Sequence, residues 1–381
     1  MTLKMLILAG FFAVCPAQND SLSSYTKRQE QEFQKYQDDL KAGLKKQEKA
    51  VSNYQAQTAA DFIAWQKVQT AEFKKFQDSI ALEWGAFTAP GPKLWVEYGK
   101  DRRSFSSVDF EKGLVTVEAL MQRGETVKQA RKRLKQAMER TLTSRGGTLP
   151  IPVSTKQQLL NKPILDLQVI DTSVMELAEK AVTSKPDTAG RSIISVTFPL
   201  APDHLKKRMS PYLEIIQEQS SAYGLNTAEV MAIIHTESAY NPMAVSSCGA
   251  LGLMQLVPES GGREAYQYVY GADLIPSREL LMNPEKNIQL GCAYLYLLKN
   301  RYFNGVLDNS AKSYCAISAY NGGPKAVALA FTGEKKLEPA IYIINTVKNP
   351  EQVYNNLVMN LPFAETRIYL KSVVERIKLY Q

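Results

Sequence analysis

The sequence predicts an α+β multidomain protein: a long N-terminal helical coil, a small α+β domain and a C-terminal all-α domain. Three observations carry this. No proline falls between Pro16 and Pro90, and apolar pairs recur in that stretch every 11 residues. After Pro90-Gly91-Pro92 the pattern changes to strand-like alternation. From about residue 209 onward, helix starts and stops dominate. A chain of 381 residues has room for two or three domains, each able to bury a core. The expected divisions are 1–17, 18–89, 90–200 and 201–381.

The first segment argues for export. Lys4 precedes an apolar run from Met5 to Val14, too short to anchor stably across a bilayer. It reads as a signal peptide, residues 1–17. Two processing readings stand side by side. Cys15 is a lipidation candidate, although Phe12-Ala13-Val14 before it and Pro16 after it depart from the usual lipobox. Alternatively the chain is cut after Ala17. A single lipid chain binds a membrane only weakly, so stable anchoring requires full acylation.

The coil follows. Val51/Tyr54, Phe62/Trp65, Phe73/Phe76 and Trp84/Phe87 repeat in steps of 11 residues, and Leu40 continues the series backward. An 11-residue period fits a nearly straight or slightly right-handed supercoil. A longer echo links Glu32–Asp38 with Glu72–Asp78. The expectation is one long helix acting as a spacer, or as a self-association element through residues 25–87. Some 60 residues of helix would reach on the order of 90 Å. The alternative is a hairpin broken near Gly43 or Ser52-Asn53, or a coil wrapped on the rest of the chain.

In the middle domain Lys93–Tyr98 and Ser104–Leu120 alternate, with Glu111-Lys112-Gly113 as a turn. Thr126–Leu142 reads as a basic amphipathic helix with a solvated face. Ser144–Pro152 is a loop and Ile193–Phe198 a strand. No cluster of catalytic residue types falls in this region.

Helices are expected near 209–223, 227–237, 285–301, 311–320 and 365–379. Asn226 and Glu229 have capping-box spacing. Val230, Ile233 and Ile234 make an apolar stripe, and Glu237 is next on it. A carboxylate on a buried face is desolvated, which favours its neutral form. A general acid working near neutral pH needs that shift. The competing reading is a structural ion pair at a fraying helix end. Asn283-Pro284-Glu285 is a helix start, with Pro at the first helical position. Gly322-Gly323 is a helix stop.

Four motifs reinforce the catalytic reading. Glu-Ser-x-x-Asn-Pro-x-Ala-x-Ser (237–246), Gly-Ala-Leu-Gly-Leu-Met-Gln (249–255), Ala-Tyr-Asn-Gly-Gly (319–323) and Glu-Thr-Arg-x-Tyr (365–369) occur in order. Together they resemble the catalytic domain of lytic murein transglycosylases, a lysozyme-like domain similar to goose-type lysozyme. The resemblance covers about 205–381. A second one covers about 85–200. Gly91-Pro92-Lys93, Val96-Glu97-Tyr98, Asp109–Gly113, Ser195-Val196-Thr197 and Pro202-x-His204-Leu205-x-Lys207-Arg208 are similar to the accessory region of the membrane-bound C type within that family.

The resemblance implies cleavage of the β-1,4 bond between N-acetylmuramic acid and N-acetylglucosamine in peptidoglycan, and a role in wall turnover. The muramyl C6 hydroxyl attacks the anomeric carbon and leaves a 1,6-anhydro product. Glu237 would serve first as acid, then as base. Most glycosidases use two carboxylates, and substrate assistance is a known exception. The segment 237–256 holds only Glu237, with Glu259 and Glu264 reading as surface charges. By position, Ser246, Gln255, Tyr320 and Asn321 match polar cleft residues, suited to sugars by their hydrogen-bonding groups. Met254 matches a groove-lining residue or is plain core. Tyr369 shares a helical stripe with Val373 and Ile377 and is as well explained by packing. Ser238 either orients the carboxylate or ends the helix. The middle domain would position the wall or a partner.

Composition bounds the alternatives. The net charge of +8 suits a partner bearing carboxylates, such as peptidoglycan stems, or an anionic membrane. No helix-turn-helix spacing or aromatic-basic RNA motif points to nucleic acid. The two histidines, His204 and His235, neighbour no second ligand at metal spacing, so neither metal nor cofactor is implied. Cys292 and Cys315 either bridge or remain buried thiols, and Cys248 is left over. The expected compartment is the periplasm, with outer-membrane anchoring if Cys15 is lipidated. A hydrolytic muramidase and a non-catalytic wall-binding scaffold are the alternative functions.

Overall fold

The computed structural model describes residues 19–143, 176–178, 180–183, 190–347 and 349–381. The signal peptide, Cys15 and the loop Ser144–Pro152 lie outside the described residues. The fold is α+β and multidomain, and the chain divides into two units, Met1–Val68 and Gln69–Gln381.

Helix α1 runs Asn19–Trp84 without a break at Gly43 or Ser52-Asn53, which excludes the hairpin. In the first unit its described side chains are solvated, with Gln29 donating to Glu32 at 3.2 Å and Gln34 to Asp38 at 3.2 Å. Tyr25, Phe33, Tyr36, Leu40 and Leu44 are exposed. The helix ends earlier than the first proline implies. Gly85 takes φ +84° just after Trp84, and its N–H donates to the Ala81 carbonyl at 2.8 Å. A left-handed glycine stops a helix as effectively as proline and costs less there than any other residue.

The second unit begins with the last turns of α1. Phe73, Phe76, Ile80 and Trp84, with Phe87 beyond the helix, pack on Val96, Tyr98 and Phe105 of a sheet face. Phe87 stacks on Tyr98 with centroids 5.6 Å apart. The last two repeats of the 11-residue pattern are therefore consumed within the chain.

The sheet has five described strands in the order β1–β2–β3–β5–β4, every pair antiparallel. They are β1 (Leu94–Tyr98), β2 (Ser104–Asp109), β3 (Leu114–Met121), β4 (Val182–Thr183) and β5 (Ser192–Pro199). Strand alternation sorts the side chains. Val96 and Tyr98 face α1, while Trp95, Val108, Val115, Val117 and Ile194 face helix α2 (Val127–Thr143), which contributes Ala130, Leu134, Ala137 and Met138. Helices thus cover both faces, so both phases of the alternation are apolar.

The remainder is helical: α3 (His204–Met209), α4 (Leu213–Ala222), α5 (Thr227–Ser238), α6 (Arg263–Tyr270), α7 (Arg278–Met282), α8 (Pro284–Leu297), α9 (Asn309–Gly322), α10 (Pro324–Thr332), α11 (Leu337–Thr346), α12 (Pro350–Asn360) and α13 (Ala364–Ile377). The five expected helices are present. The extra ones run from 5 residues in α7 to 11 in α12. In the shortest, little more than one turn buries too little of a stripe to show a period. Helix α5 is the hub, with almost every residue buried and α4, α9 and α13 around it. Cys292 and Cys315 are buried free thiols and Cys248 is exposed. Among the described residues no helix is long and apolar enough to cross a membrane.

Sheet and helical parts of the second unit meet at one junction. Arg208 lies 4.7 Å over the Phe110 ring and donates to the Phe110 carbonyl at 2.9 Å. Arg376 pairs with Glu111 and donates to Thr236 Oγ1 at 2.9 Å.

Candidate active site

Helix α5 starts as the sequence predicts, with Asn226 Oδ1 accepting the Glu229 N–H at 3.2 Å. The reciprocal half of the capping box is missing. The Glu229 carboxylate turns inward to Lys299 Nζ at 2.8 Å and Ser313 Oγ at 3.1 Å, forming a buried ion pair. The far end is unusual. Ala239 and Tyr240 both adopt left-handed backbone, φ 48° and 59°, although neither is glycine. Such positions are strained and persist only where their surroundings hold them. Here the Tyr240 ring is buried and its hydroxyl donates to the Met231 carbonyl at 3.1 Å. The reversal leaves Glu237 on the last turn, half-buried among buried neighbours.

The segment after α5 folds onto this end. Val245–Leu251 and Leu251–Leu256 form isolated bridges, and Gly252 takes φ 75°. A Cβ on Gly252 would stand 2.5 Å from both Asn287 Nδ2 and the Leu281 carbonyl, so only glycine fits. Asn287, fully buried on α8, grips the segment. Its Oδ1 accepts the Met254 N–H at 2.7 Å, and its Nδ2 donates to the Leu251 carbonyl at 2.9 Å and the Leu281 carbonyl at 2.8 Å. Ser238 Oγ donates to the Leu253 carbonyl at 2.8 Å, with the Ile234 carbonyl at 3.1 Å. Ser238 is therefore sealed behind Glu237, tying the helix end to the segment, and its hydroxyl is not open to a ligand.

Met254 is also a core residue, fully buried and packed so tightly on α8 that a Cβ on Gly291 would meet its Sδ at 2.2 Å. Gln255, at φ 47°, donates through Nε2 to the Ala244 carbonyl at 3.1 Å and the Gly252 carbonyl at 2.8 Å. Its Oε1 is buried without a partner. Ser246 is half-buried in a turn, its Oγ accepting the Ala250 N–H at 3.0 Å.

Two further helices close the site. Helix α9 ends at Gly322, capped by Gly323 at φ 79°. Tyr320 on its last turn donates to the Met254 carbonyl at 2.9 Å. Asn321 Oδ1 accepts Thr366 Oγ1 of α13 at 2.7 Å. One turn beyond Thr366, the buried Tyr369 hydroxyl lies against the Glu237 carboxyl without reaching ordinary hydrogen-bond geometry.

Burial dominates the electrostatics. It pushes the Glu237 carboxyl up to about 8, against the pull of the Tyr369 hydroxyl and the Lys93 charge, with Glu365 pushing the same way as burial. Burial, and then the charge of Glu237, hold the Tyr320 and Tyr369 hydroxyls well above their ordinary value, so both stay neutral. Burial and the Arg376 charge push His235 down to about 4, and its Nδ1 lies 3.0 Å from the Tyr380 hydroxyl.

Of the expected residues, Glu237, Tyr320 and Tyr369 converge directly, and Asn321 joins them through Thr366. Glu259 is exposed as expected, whereas Glu264 accepts the Tyr302 hydroxyl at 2.9 Å. Asn287, Thr366 and Lys93 were not foreseen. A polar residue inside the apolar stripe of α8 is the signal that could have exposed Asn287. Two hollows are lined by residues other than Glu237. One, of about 640 Å³, is lined by Gly322, Gly323, Lys325, Lys335, Lys336 and Glu338 among others and continues from Asn321 along the chain. Another, of about 420 Å³, lies between α4 and the start of α8. We identify the site by its chemistry, because neither hollow contains a carboxyl poised as Glu237 is. Among the described residues no group of three or more His, Cys, Asp or Glu could hold a metal ion.

Comparison with known proteins agrees across both parts of the chain. The family model described as the transglycosylase SLT domain matches residues 214–343. That of the membrane-bound lytic murein transglycosylase C N-terminal domain matches residues 62–210. Membrane-bound lytic murein transglycosylase C from Pectobacterium atrosepticum is 34% identical over 324 residues, 81% of this chain and 88% of that protein. The protein of the same name from Klebsiella pneumoniae is 33% identical over the same shares. The 70 kDa soluble lytic transglycosylase from Escherichia coli is 27% identical, with a TM-score of 0.35 over 47% of this chain and 25% of that one. On identity and coverage of the first two, the chain belongs to the membrane-bound lytic murein transglycosylase C family.

Proposed function

We infer that this chain is a peptidoglycan lytic transglycosylase in which Glu237 is the general acid and then the base. The observation that supports this most is the Glu237 carboxyl itself, held at about 8 by burial and therefore protonated at neutral pH. In the first half, Glu237 gives its proton to the glycosidic oxygen between N-acetylmuramic acid and N-acetylglucosamine as the C1–O bond breaks. The N-acetyl group of the substrate stabilises the cationic carbon. In the second half, the C6 oxygen bonds to C1 and its proton passes to the Glu237 carboxylate. No water is consumed and the acid is regenerated. These proton transfers call for no metal or cofactor.

Tyr369 would support the ionised half-cycle, with Tyr320 holding the Met254 carbonyl in place. Asn321, Ser246 and Gln255 are the polar groups we assign to sugar contacts, while Ser238 and Met254 support the segment from behind. Residues 201–381 would be the catalytic domain and 90–200 an accessory domain. We further propose a periplasmic site of action, attachment to the outer membrane by lipid on Cys15, and self-association through residues 25–68 of the expected 25–87, since the Phe73–Phe87 aromatics pack on the chain's own sheet. Labelled-palmitate incorporation lost in Cys15→Ser tests the second, and sedimentation of the chain with and without residues 25–68 tests the third.

Product mass spectrometry on purified sacculi, wild type beside Glu237→Gln, tests the function. Anhydromuropeptides from wild type alone support a non-hydrolytic lyase. Reducing ends with water added would move the assignment to a muramidase, a reading given some weight by Glu365, a second carboxylate whose charge bears on Glu237. Glycan binding without products would leave a scaffold.

A further inference from the structure

The sheet domain reaches the end of α5 at one corner, residues 91–93. Gly91 and Leu94 close an isolated bridge, the Gly91 N–H donating to the Leu94 carbonyl at 2.8 Å. The Lys93 carbonyl accepts the Phe110 N–H at 2.8 Å, which joins the corner to the β2–β3 turn. The Pro92 carbonyl accepts Asn241 Nδ2 at 2.9 Å. Asn241 follows directly on the left-handed pair that terminates α5. It is buried, and its Oδ1 is engaged by the Met243 N–H at 3.1 Å. The corner is therefore fastened to the turn that carries Glu237. Lys93 does not swing freely. Its Nζ lies 2.6 Å from Glu111 Oε2, and Glu111 is shared with Arg376 of α13.

We propose that Lys93 is a positioning residue of the active site, a cation lent by the sheet domain that steadies Glu237 while it is ionised between its two proton transfers. This rests on Glu237 being the acid and base. The titratable and charged groups bearing on Glu237 come from several elements: Lys93 from the sheet corner, Tyr320 from α9, and Glu365 and Tyr369 from α13. Lys93 itself bears also on Glu111 of the β2–β3 turn and His235 of α5. His235 is held neutral above about pH 4, so it adds no charge in the working range. Glu111 offsets part of the Lys93 charge, and Lys93 in turn pulls Glu237 down against burial.

The sign follows. A cation favours the carboxylate, so removing it keeps Glu237 protonated to higher pH. Lys93→Met is expected to move the alkaline limb of kcat/KM upward by roughly 0.5–1 pH unit, less than a contact pair gives because Glu111 and solvent screen the charge. Lys93→Arg should leave the limb in place. A limb unmoved in Lys93→Met, or moved equally in Lys93→Arg, overturns the inference. If Lys93→Met does not fold, Glu111→Gln carries the test. It breaks the same ion pair but leaves the cation uncompensated, so the limb must move downward, and a limb that stays or rises refutes the proposal. A ¹³C-carboxyl titration of Glu237 in the intact chain reads the same shifts without turnover. An inactive wild type would thus sink the functional reading, whereas equal midpoints in wild type and Lys93→Met would sink only the role of Lys93.

Discussion

At the scale of the residue, Glu237 combines two conditions that disfavour charge. It is largely surrounded by protein, and it sits at the C-terminal end of α5, where the helix dipole is negative. The folded carboxyl binds its proton up to about 8, whereas an unfolded one releases it near 4.5. Between those values the folded state holds more protons than the unfolded, so stability falls as pH rises through the window. Glu237→Gln carries no charge and escapes this loss. It should therefore melt at least ~2 °C above wild type at pH 9 and near wild type at pH 4, as differential scanning calorimetry at the two pH values would show. The same proton sets activity, and the alkaline limb of kcat/KM should fall near pH 8. Tyr369→Phe removes a hydroxyl that favours the carboxylate, so its limb should move upward. Its melting temperature should stay within about 2 °C of wild type, because that hydroxyl makes no ordinary hydrogen bond.

At the scale of the element, the 249–256 segment buries Leu251, Leu253, Met254 and Leu256 in the core and is held as well by polar grips from three helices. Asn287 of α8 holds the Met254 N–H and the Leu251 carbonyl and ties them to the Leu281 carbonyl of α7, Ser238 of α5 holds Leu253, and Tyr320 of α9 holds Met254. Each unpaired buried group costs about 1–3 kcal/mol. Asn287→Ala should therefore cost on the order of 3 kcal/mol in urea unfolding. Asn287→Asp should be nearly as damaging, since it loses both Nδ2 donations. Gly252→Ala adds left-handed strain and a direct clash with Asn287 and should also be poorly tolerated. The helix ends show what local sequence reveals. Asn226, Asn283 and Gly323 act where they stand, and each was legible. Glu229 was half legible: its spacing announced a capping box, but Lys299 and Ser313 compete for its carboxylate from far along the chain.

At the scale of the whole molecule, the second unit depends on the junction between sheet and helices. Arg376 bridges Glu111 on the sheet side and Thr236 on α5. Arg208 is half-buried over the Phe110 ring, and burial lowers it to about 10, so it stays charged at neutral pH. Glu111 is about a third exposed and keeps Lys93 at 2.6 Å when Arg376 is lost, so breaking the Arg376–Glu111 pair costs less than a fully buried one, about 3–5 kcal/mol. Arg376→Met should lower the melting temperature by several degrees and broaden or split the calorimetric transition as sheet and helices uncouple. A single, unshifted transition would count against the junction as a structural coupling.

The sequence by itself determined what depends on near neighbours: a helical coil ahead of Pro90, strands alternating on either side of the Glu111–Gly113 turn, capped helices, and a carboxylate closing an apolar stripe. Period, cap and turn are written in residues a few positions apart, and the ordered motifs were enough to indicate the family. Only the tertiary structure decided which side chains meet. It turned the Phe73–Phe87 aromatics onto the sheet, sealed Ser238 and Met254 behind the site, brought Tyr369 against Glu237, and placed Asn287 and Lys93 where neither had been sought. The reason is physical. An amphipathic period says that a face is buried but not against what, and partners far apart in the chain are selected by packing and charge once the elements dock.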